Sequence, residues 1–318
     1  MRQAWSWVLC VALAAAPGAV AQGLPGYAPI NPVAASRTGL ATLPYLEGGR
    51  RWHFAVQLDY SSIIEYAILD DVTYLLDAEV LRTRLSVARN LGTRAFVLAE
   101  GSFNGAYNGF LDGFLDWYHD LIGVRLEARE LRPTNQFGYQ LSFSNGRNYQ
   151  YEPTSGFLGD VRVGGGVRFS SRWQGALTLT LPTASSPKGY RRGKPSFNAT
   201  TTLRSNPAKR FVYEGTLGAG YTPAHGDLAD LEHNVFLMVT QGGRVRIAGP
   251  LHAYANLIYH SAYYQDTGTK ALDNRELTAD LGGLLRFKRG PEWSFGLAED
   301  LEPSGPAVDV TFRFGARW

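Results

Sequence analysis

The feature that most constrains this chain is a strict alternation of apolar and polar residues. It starts near Arg51 and recurs to the last position. In "RRWHFAVQLDYSS", Trp52, Phe54, Val56, Leu58 and Tyr60 share one face, with Arg51, His53, Ala55, Gln57 and Asp59 on the other. The same pattern runs through "EVLRTRLSVA", "GDVRVGGGVRFSS", "WQGALTLTLPT", "RFVYEGTLGAGY", "LHAYANLIYHSAYY" and "ELTADLGGLLRFK". A period of two is the mark of a strand with one apolar face. The closing "DVTFRFGARW" keeps it: Val308, Val310, Phe312, Phe314 and Trp318 oppose Asp309, Thr311, Arg313 and Arg317. Chain ends ordinarily fray, so a patterned end points to a terminal strand that must pair.

A soluble barrel or sandwich also alternates, with its apolar face inward. Three features favour a barrel in lipid. The runs are about 10 residues long, against about 5 to 6 in soluble strands. Aromatics stand at both ends of several apolar faces: Trp52 with Tyr60, and Phe211 and Tyr213 with Tyr221. Eight residues tilted by about 40° span about 20 Å, near the height of a lipid-facing band. Third, the opposite faces carry many arginines and acids, which a wet lumen accepts. The expectation is an all-β fold: one antiparallel transmembrane β-barrel of about 12 strands, within 10 to 14. "SSPKGYRRGKPS" and "QDTGTKALDNRE" read as connections between strands.

The first residues, "MRQAWSWVLCVALAAAPGAVAQ", read as a secretory leader. Arg2 precedes an apolar stretch, Pro17 and Gly18 break it, and Ala19-Val20-Ala21 offers a cleavage site after Ala21. Residues 1–21 are therefore expected to be removed. The single cysteine, Cys10, leaves with them, so the mature chain uses neither disulfides nor thiolates. The formal net charge of +3 falls by one with Arg2. A balance that near zero gives no footprint for nucleic acid. No later stretch reaches the roughly 18 apolar residues of a membrane-spanning helix. Residues 22–49, rich in Pro, Gly and Ala and without a period, read as an N-terminal segment, extended or plugging the lumen. Residues 50–318 form the barrel, in the outer membrane of a Gram-negative bacterium.

One stretch breaks the strand pattern. In "NGFLDGFLDWYHDLIGV", Phe110, Leu111, Phe114, Leu115, Tyr118, Leu121 and Ile122 recur at helical spacing. A short amphipathic helix in a long loop is expected, capping the barrel or lying at the membrane surface. Asp116, His119 and Asp120, at i, i+3 and i+4, are candidates to share a cation. The plainer reading is a solvated face.

The faces opposite the apolar ones supply the lumen-lining candidates: Arg82, Arg84, Arg162, Arg168, Glu214, Glu276, Asp280, Arg286, Asp309 and Arg313. Opposed cations and acids set ion preference in an aqueous pore. A packed, salt-bridged interior closed to solutes has the same composition. Membrane barrels can also be lipid hydrolases, and His260 stands beside Ser261. Neighbouring strand residues point to opposite faces, so this pair cannot act as a dyad in a regular strand. Ser142 and Ser144 have no histidine nearby in sequence. No phosphate-binding loop, dinucleotide fingerprint or zinc-helix motif occurs. No cofactor or metal is called for.

"PINPVAASRTGLATLP", "FLDGFLDWYHDLIGV" and "LGDVRVGGGVRF" followed by "LTLTLPT" together resemble the DUF3187 family of uncharacterised outer-membrane proteins. The resemblance implies an outer-membrane barrel and carries over no catalytic or ligand residues. The last strand, with Phe312, Phe314 and the terminal Trp318, resembles the signal through which such barrels meet their assembly machinery. A last strand must pair with the first to remove both open edges, and a terminal aromatic suits the membrane interface. The preferred function is a passive pore or substrate channel. The alternatives are a structural or interaction barrel with a filled lumen, and an outer-membrane lipid hydrolase. Outer-membrane lipid and the assembly machinery are the expected partners. The sequence leaves substrate, openness and oligomeric state undetermined.

Overall fold

The computed structural model describes residues 23–123, 132–287, 289–302, 305–306 and 308–318. The expected leader and its cleavage point lie outside them. After a short helix, α1 (Pro32–Arg37), the chain runs through β1 (Trp52–Ile68), β2 (Val72–Leu91) and β3 (Ala95–Tyr107). A long connection follows, carrying α2 (Asp112–Ile122), β4 (Gly138–Phe143), β5 (Asn148–Gln150) and β6 (Thr154–Leu158). Next come β7 (Val161–Arg168), β8 (Trp173–Leu181), β9 (Ser196–Arg204), β10 (Phe211–Tyr221), β11 (Val235–Ala248) and β12 (Leu251–His260). The small helix α3 (Lys270–Asp273) precedes β13 (Glu276–Arg286), β14 (Glu292–Asp300) and β15 (Val310–Arg317).

Twelve strands, β1–β3 and β7–β15, make a closed antiparallel barrel. Closure comes from β15 against β1, in register from Ala55 opposite Arg317 to Ser62 opposite Val310. Trp318 continues that seam, its amide donating to the Phe54 carbonyl at 2.9 Å. The terminal strand thus pairs on both sides and leaves no edge. Trp318 itself is only 7% exposed, covered at its strand end.

One end of the barrel has the tight turns, such as β2 to β3 and β11 to β12; it is called the lower end. The other, upper end has the long connections. β1 pairs with β15 only to Ser62 but with β2 as far as Ile68. The β1–β2 hairpin therefore rises above the barrel. There β4 pairs with the start of β2, β5 with β4, and β6 with the top of β3 across a bulge between Asn104 and Ala106.

The outer face is apolar along its middle and aromatic at its ends. Leu177, at the centre of β8, is 70% exposed. Trp52, Phe54, Phe169, Trp173, Phe211 and Trp293 ring the lower end, and Phe103, Phe197 and Tyr221 the upper. That is the dress of a barrel whose outer solvent is lipid. Tyr263 departs from the alternation read in the sequence. β12 ends at His260, and Tyr263 folds inward, its hydroxyl donating to Glu276 at 2.6 Å.

α2 packs on the outside of the wall. Leu111 and Leu115 bury against Tyr60, Leu297, Val310 and Phe312. The Phe114 ring stands 6.0 Å from Phe312. Phe110, Phe114, Trp117 and Leu121 remain exposed beside the upper aromatic ring. The helix stops at Gly123, whose φ of 73° is the left-handed cap that glycine adopts without strain.

Candidate functional site

The lumen is occupied by residues 23–47. An extended segment inside a closed barrel meets a difficulty. The wall strands have spent their backbone groups on one another, so the segment's own amides and carbonyls need partners from wall side chains. Arginine answers this well: it offers five donors and no acceptor. The inner face is built accordingly.

The segment enters at the lower end. Leu24 packs on Tyr254 and Leu284, and its amide donates to Glu214 at 3.1 Å. The Gly26 carbonyl accepts from Arg84 at 2.9 Å and from Arg313 at 2.5 Å. Arg82 donates to the carbonyls of Ala28 and Pro29 at 2.8 and 2.6 Å. The Tyr27 hydroxyl donates to Glu276. At the top, Asn31 caps α1 through the Val33 amide at 3.0 Å and Pro32 takes its first position. That Asn-Pro pair was a legible helix start inside a segment that otherwise read as irregular.

The return limb descends the opposite wall. Arg192 donates to the carbonyls of Ala35 and Thr38 at 2.9 and 2.8 Å. Gly39 must stay a glycine: a Cβ there would lie 2.5 Å from Thr180 Oγ1 and 2.9 Å from Ser196 Cβ. Leu40, fully buried, lies over Gly218 and Gly220 of β10, which leave room for it. Arg162 reaches the Ala41 carbonyl at 3.3 Å and Arg168 the Leu46 carbonyl at 3.2 Å. Gln174 brackets Pro44 and Leu46. Arg204 lies 3.6 Å over the Tyr45 ring and pairs with Glu47 at 2.6 Å. The two limbs are tied to each other by the Thr42 amide, which donates to the Tyr27 carbonyl at 2.9 Å.

Beneath these contacts the wall carries its own ion pairs. Asp59, 1% exposed, receives Arg82 at 3.0 Å, Arg313 at 3.3 Å and Arg84 at 3.8 Å. Asp280 pairs with Arg313 and accepts from Tyr254 at 3.0 Å. Glu100 holds Arg162 at 3.0 Å. Glu292 holds Arg286 at 2.5 Å and also Arg317. At the upper end, outside the spanning strands, Arg37 pairs with Glu232 at 3.2 Å. Burial pushes the Glu232 carboxyl above its ordinary range, against the pull of that guanidinium. Burial lowers Arg192 to about 10.

Nine of the ten residues expected to line the lumen do face it: Arg82, Arg84, Arg162, Arg168, Glu214, Glu276, Asp280, Arg286 and Arg313. Asp309 does not. β15 begins one residue later, so the alternation does not reach it, and it lies 3.4 Å from His119 Nε2 on the outside of the wall. The cation grouping of Asp116, His119 and Asp120 does not form either. His119 stands two turns beyond Leu111 on the wall-facing side of α2, buried, while Asp120 is exposed. No cluster able to hold a metal occurs among the described residues. The sequence did not single out Glu47, Glu100, Arg192, Arg204 or Glu292, and Arg317, although placed on the polar face of the last strand, was not among the lumen-lining candidates. The signal for Arg204, Glu292 and Arg317 was present, as polar positions next to or within alternating runs.

His260 is buried and stacked on Tyr263 at 4.4 Å, with Nδ1 2.7 Å from the Ser261 carbonyl. The Ser261 hydroxyl instead accepts from the Leu237 amide at 3.0 Å. The side chains are not arranged as nucleophile and base.

The chain belongs to the DUF3187 family, proteins of unknown function, whose profile matches residues 50–318. The segment in the lumen precedes the matched region. Among solved structures, the COG4313 outer-membrane channel from Pseudomonas putida F1 aligns with a TM-score of 0.51 at 12% identity. That alignment covers 84% of this chain and 95% of the channel. At such identity the likeness is one of fold. The Pseudomonas putida toluene transporter TodX aligns more loosely, at a TM-score of 0.40 and 12% identity, over 94% of this chain and 98% of TodX. The monoaromatic hydrocarbon channel CymD also gives 0.40 and 12%, over 91% of this chain and 90% of CymD. No curated protein matches the chain in sequence.

Proposed function

We propose that this protein is an outer-membrane channel for small solutes, closed at rest by residues 23–47. The observation that carries the reading is the two-limbed segment itself, which runs up one side of the lumen and down the other. Inside the wall, cavities of about 130, 40 and 20 Å³ lie against the segment, room for a few waters. The channel fold of the COG4313 neighbour supports the reading. In this orientation the tight turns face the periplasm and the long connections face outward. Outer-membrane lipid covers the apolar wall, and the last strand, with Phe312, Phe314 and Trp318, presents the chain to the barrel-assembly machinery.

The test is single-channel conductance in a planar bilayer, with ion selectivity, for the mature protein and for a variant lacking residues 23–47. Stable steps that grow in size or open time when the segment is removed support a plug. A variant that folds, shown by heat-modifiable migration, yet stays silent rejects the channel. The density of arginine-to-carbonyl contacts favours one other reading, a barrel with a permanently filled lumen. That reading predicts silence from the intact protein under every applied potential and solute.

A further inference from the structure

We infer that Arg82, Arg84 and Arg313 form a site for a small carboxylate at mid-height in the lumen, and that carbonyl oxygens of residues 26–29 occupy it while the segment is in place. The inference deepens the channel reading. It rests on that reading only in making the carboxylate the solute that passes.

The three arginines converge because strand register brings them together. Asp59 of β1 lies opposite Arg82 of β2 on one side and Arg313 of β15 on the other. Arg84 follows two residues along the same face of β2. Each guanidinium divides its donors between wall and segment. Arg82 turns Nε to Asp59 at 3.3 Å, and its two terminal nitrogens reach the neighbouring carbonyls of Pro29 and Ala28 at 2.6 and 2.8 Å. Arg313 gives Nε to Asp59 at 3.3 Å and one terminal nitrogen to Asp280. Its other terminal nitrogen meets Arg84 on the Gly26 carbonyl, at 2.5 and 2.9 Å. A planar fork that holds two oxygens at once is the geometry a carboxylate fits.

Charge argues that an anion belongs there. Backbone carbonyls alone do not require arginine: Gln174 serves Pro44 and Leu46 with a neutral side chain. At mid-height three guanidinium groups instead face two carboxylates, Asp59 and Asp280. Asp59 is shared further with Gln57, at 2.7 Å. Glu100, which lines the same cavity as Arg84, is taken by Arg162 at 3.0 Å. One positive charge is left over, and the segment answers it with carbonyl dipoles. All three arginines are buried, and there a full negative charge makes hydrogen bonds about twice as strong as a neutral acceptor makes. The carbonyls are thus the weaker occupants of a site built for an ion. The cavity of about 130 Å³ beside Arg82 and Arg84, lined also by Ser102 and Asn104, gives a small anion room next to the segment.

Two readouts on the full mature protein keep site and channel apart. The first involves no flux. Proteolysis of residues 23–47 in folded protein is followed as acetate is added, against acetamide (the same shape without the charge), phosphate and chloride at matched ionic strength. Acetate and the segment's carbonyls compete for the same donors, so acetate should raise the cleavage rate saturably, by about tenfold or more. Phosphate should act more weakly, and acetamide and chloride should stay near the baseline. Arg84→Gln keeps a donor for Gly26 and gives up only the 3.8 Å contact with Asp59; it should need about tenfold more acetate. Arg84→Lys, which keeps the charge, should need about threefold more. The second readout is the reversal potential across a potassium acetate gradient, where openings should favour acetate over potassium by about fivefold or more. The inference is overturned by an equal response to acetamide or chloride, a stronger one to phosphate, or none to acetate up to about 0.5 M. An acetate dependence unchanged in Arg84→Gln overturns it as well. Openings that favour potassium overturn it too, while the channel reading stands. Silent bilayers with the acetate response intact support the site and count against the channel.

Discussion

The lower and upper halves of the lumen hold the same segment by different means. Below and at mid-height the wall is ionic. Asp59, Asp280, Glu100 and Glu292 organise a set of arginines, and those arginines grip carbonyls of the segment. Above, the contact is a packed apolar core. Ile30, Val33 and Leu40 lie among Ile63, Tyr74, Phe236, Met238, Ile258 and Tyr263. The lower grip reads chiefly the segment's backbone, with side-chain contacts added at Leu24, Leu43, Tyr45, Leu46 and Glu47. The upper grip reads shape. The lower half should therefore lose more from changes in the wall's acids than from changes in the segment, whereas the upper half tolerates neither well.

Four substitutions test that contrast, and the largest effect belongs to the lower wall. Asp59→Ala leaves Arg82, Arg84 and Arg313 without their shared acceptor and should cost about 3–5 kcal/mol, read as the urea midpoint of heat-modifiable migration. A loss under about 1 kcal/mol would mean the arginines are held by the segment's carbonyls alone. In the upper half, Leu40→Ala should cost about 2–4 kcal/mol by opening a cavity over Gly218 and Gly220. It should also lengthen channel openings; unchanged unfolding and conductance together would refute a shape-dependent grip. At the boundary, Gly39→Val forces the return limb off β8 and β9 and should cost about 1–3 kcal/mol. Here the sharper reading is protease access to residues 38–47, which should rise; a protected segment counts against close approach at that point. The smallest effect is expected for Tyr45→Phe, which removes one neutral hydrogen bond to the Ser170 carbonyl, 2.6 Å long, at about 1 kcal/mol. Stacking under Arg204 should survive, so a loss of several times that size would show the hydroxyl, rather than the ring, anchoring the lower end of the return limb.

Much of the wall was legible beforehand. The alternation from Trp52 to Tyr60 and from Val310 to Arg317 assigned inner and outer faces residue by residue, because the side-chain period of a strand is two. The rule failed where strands stop. Asp309 lies one residue before β15 and Tyr263 three residues after β12, so neither obeys the parity of its neighbour. Within α2, the spacing showed a helix but not which side meets the wall. His119 read as solvated because its neighbours Asp116 and Asp120 are polar. Packing of Leu111 and Leu115 on Val310 turned it inward instead.

By itself, then, the sequence determined the class of object: an even-numbered antiparallel barrel, apolar outside and charged inside, with its last strand built to pair. Those are local properties, written in period and composition, and each strand declares them without reference to the others. The tertiary structure alone decided what fills the interior. Whether inward arginines face water, acids or a returning piece of chain depends on where residues 23–47 lie. That segment has no period to announce its path. Its partners, from Glu214 to Arg317, are scattered around the whole circumference and meet only when the barrel closes.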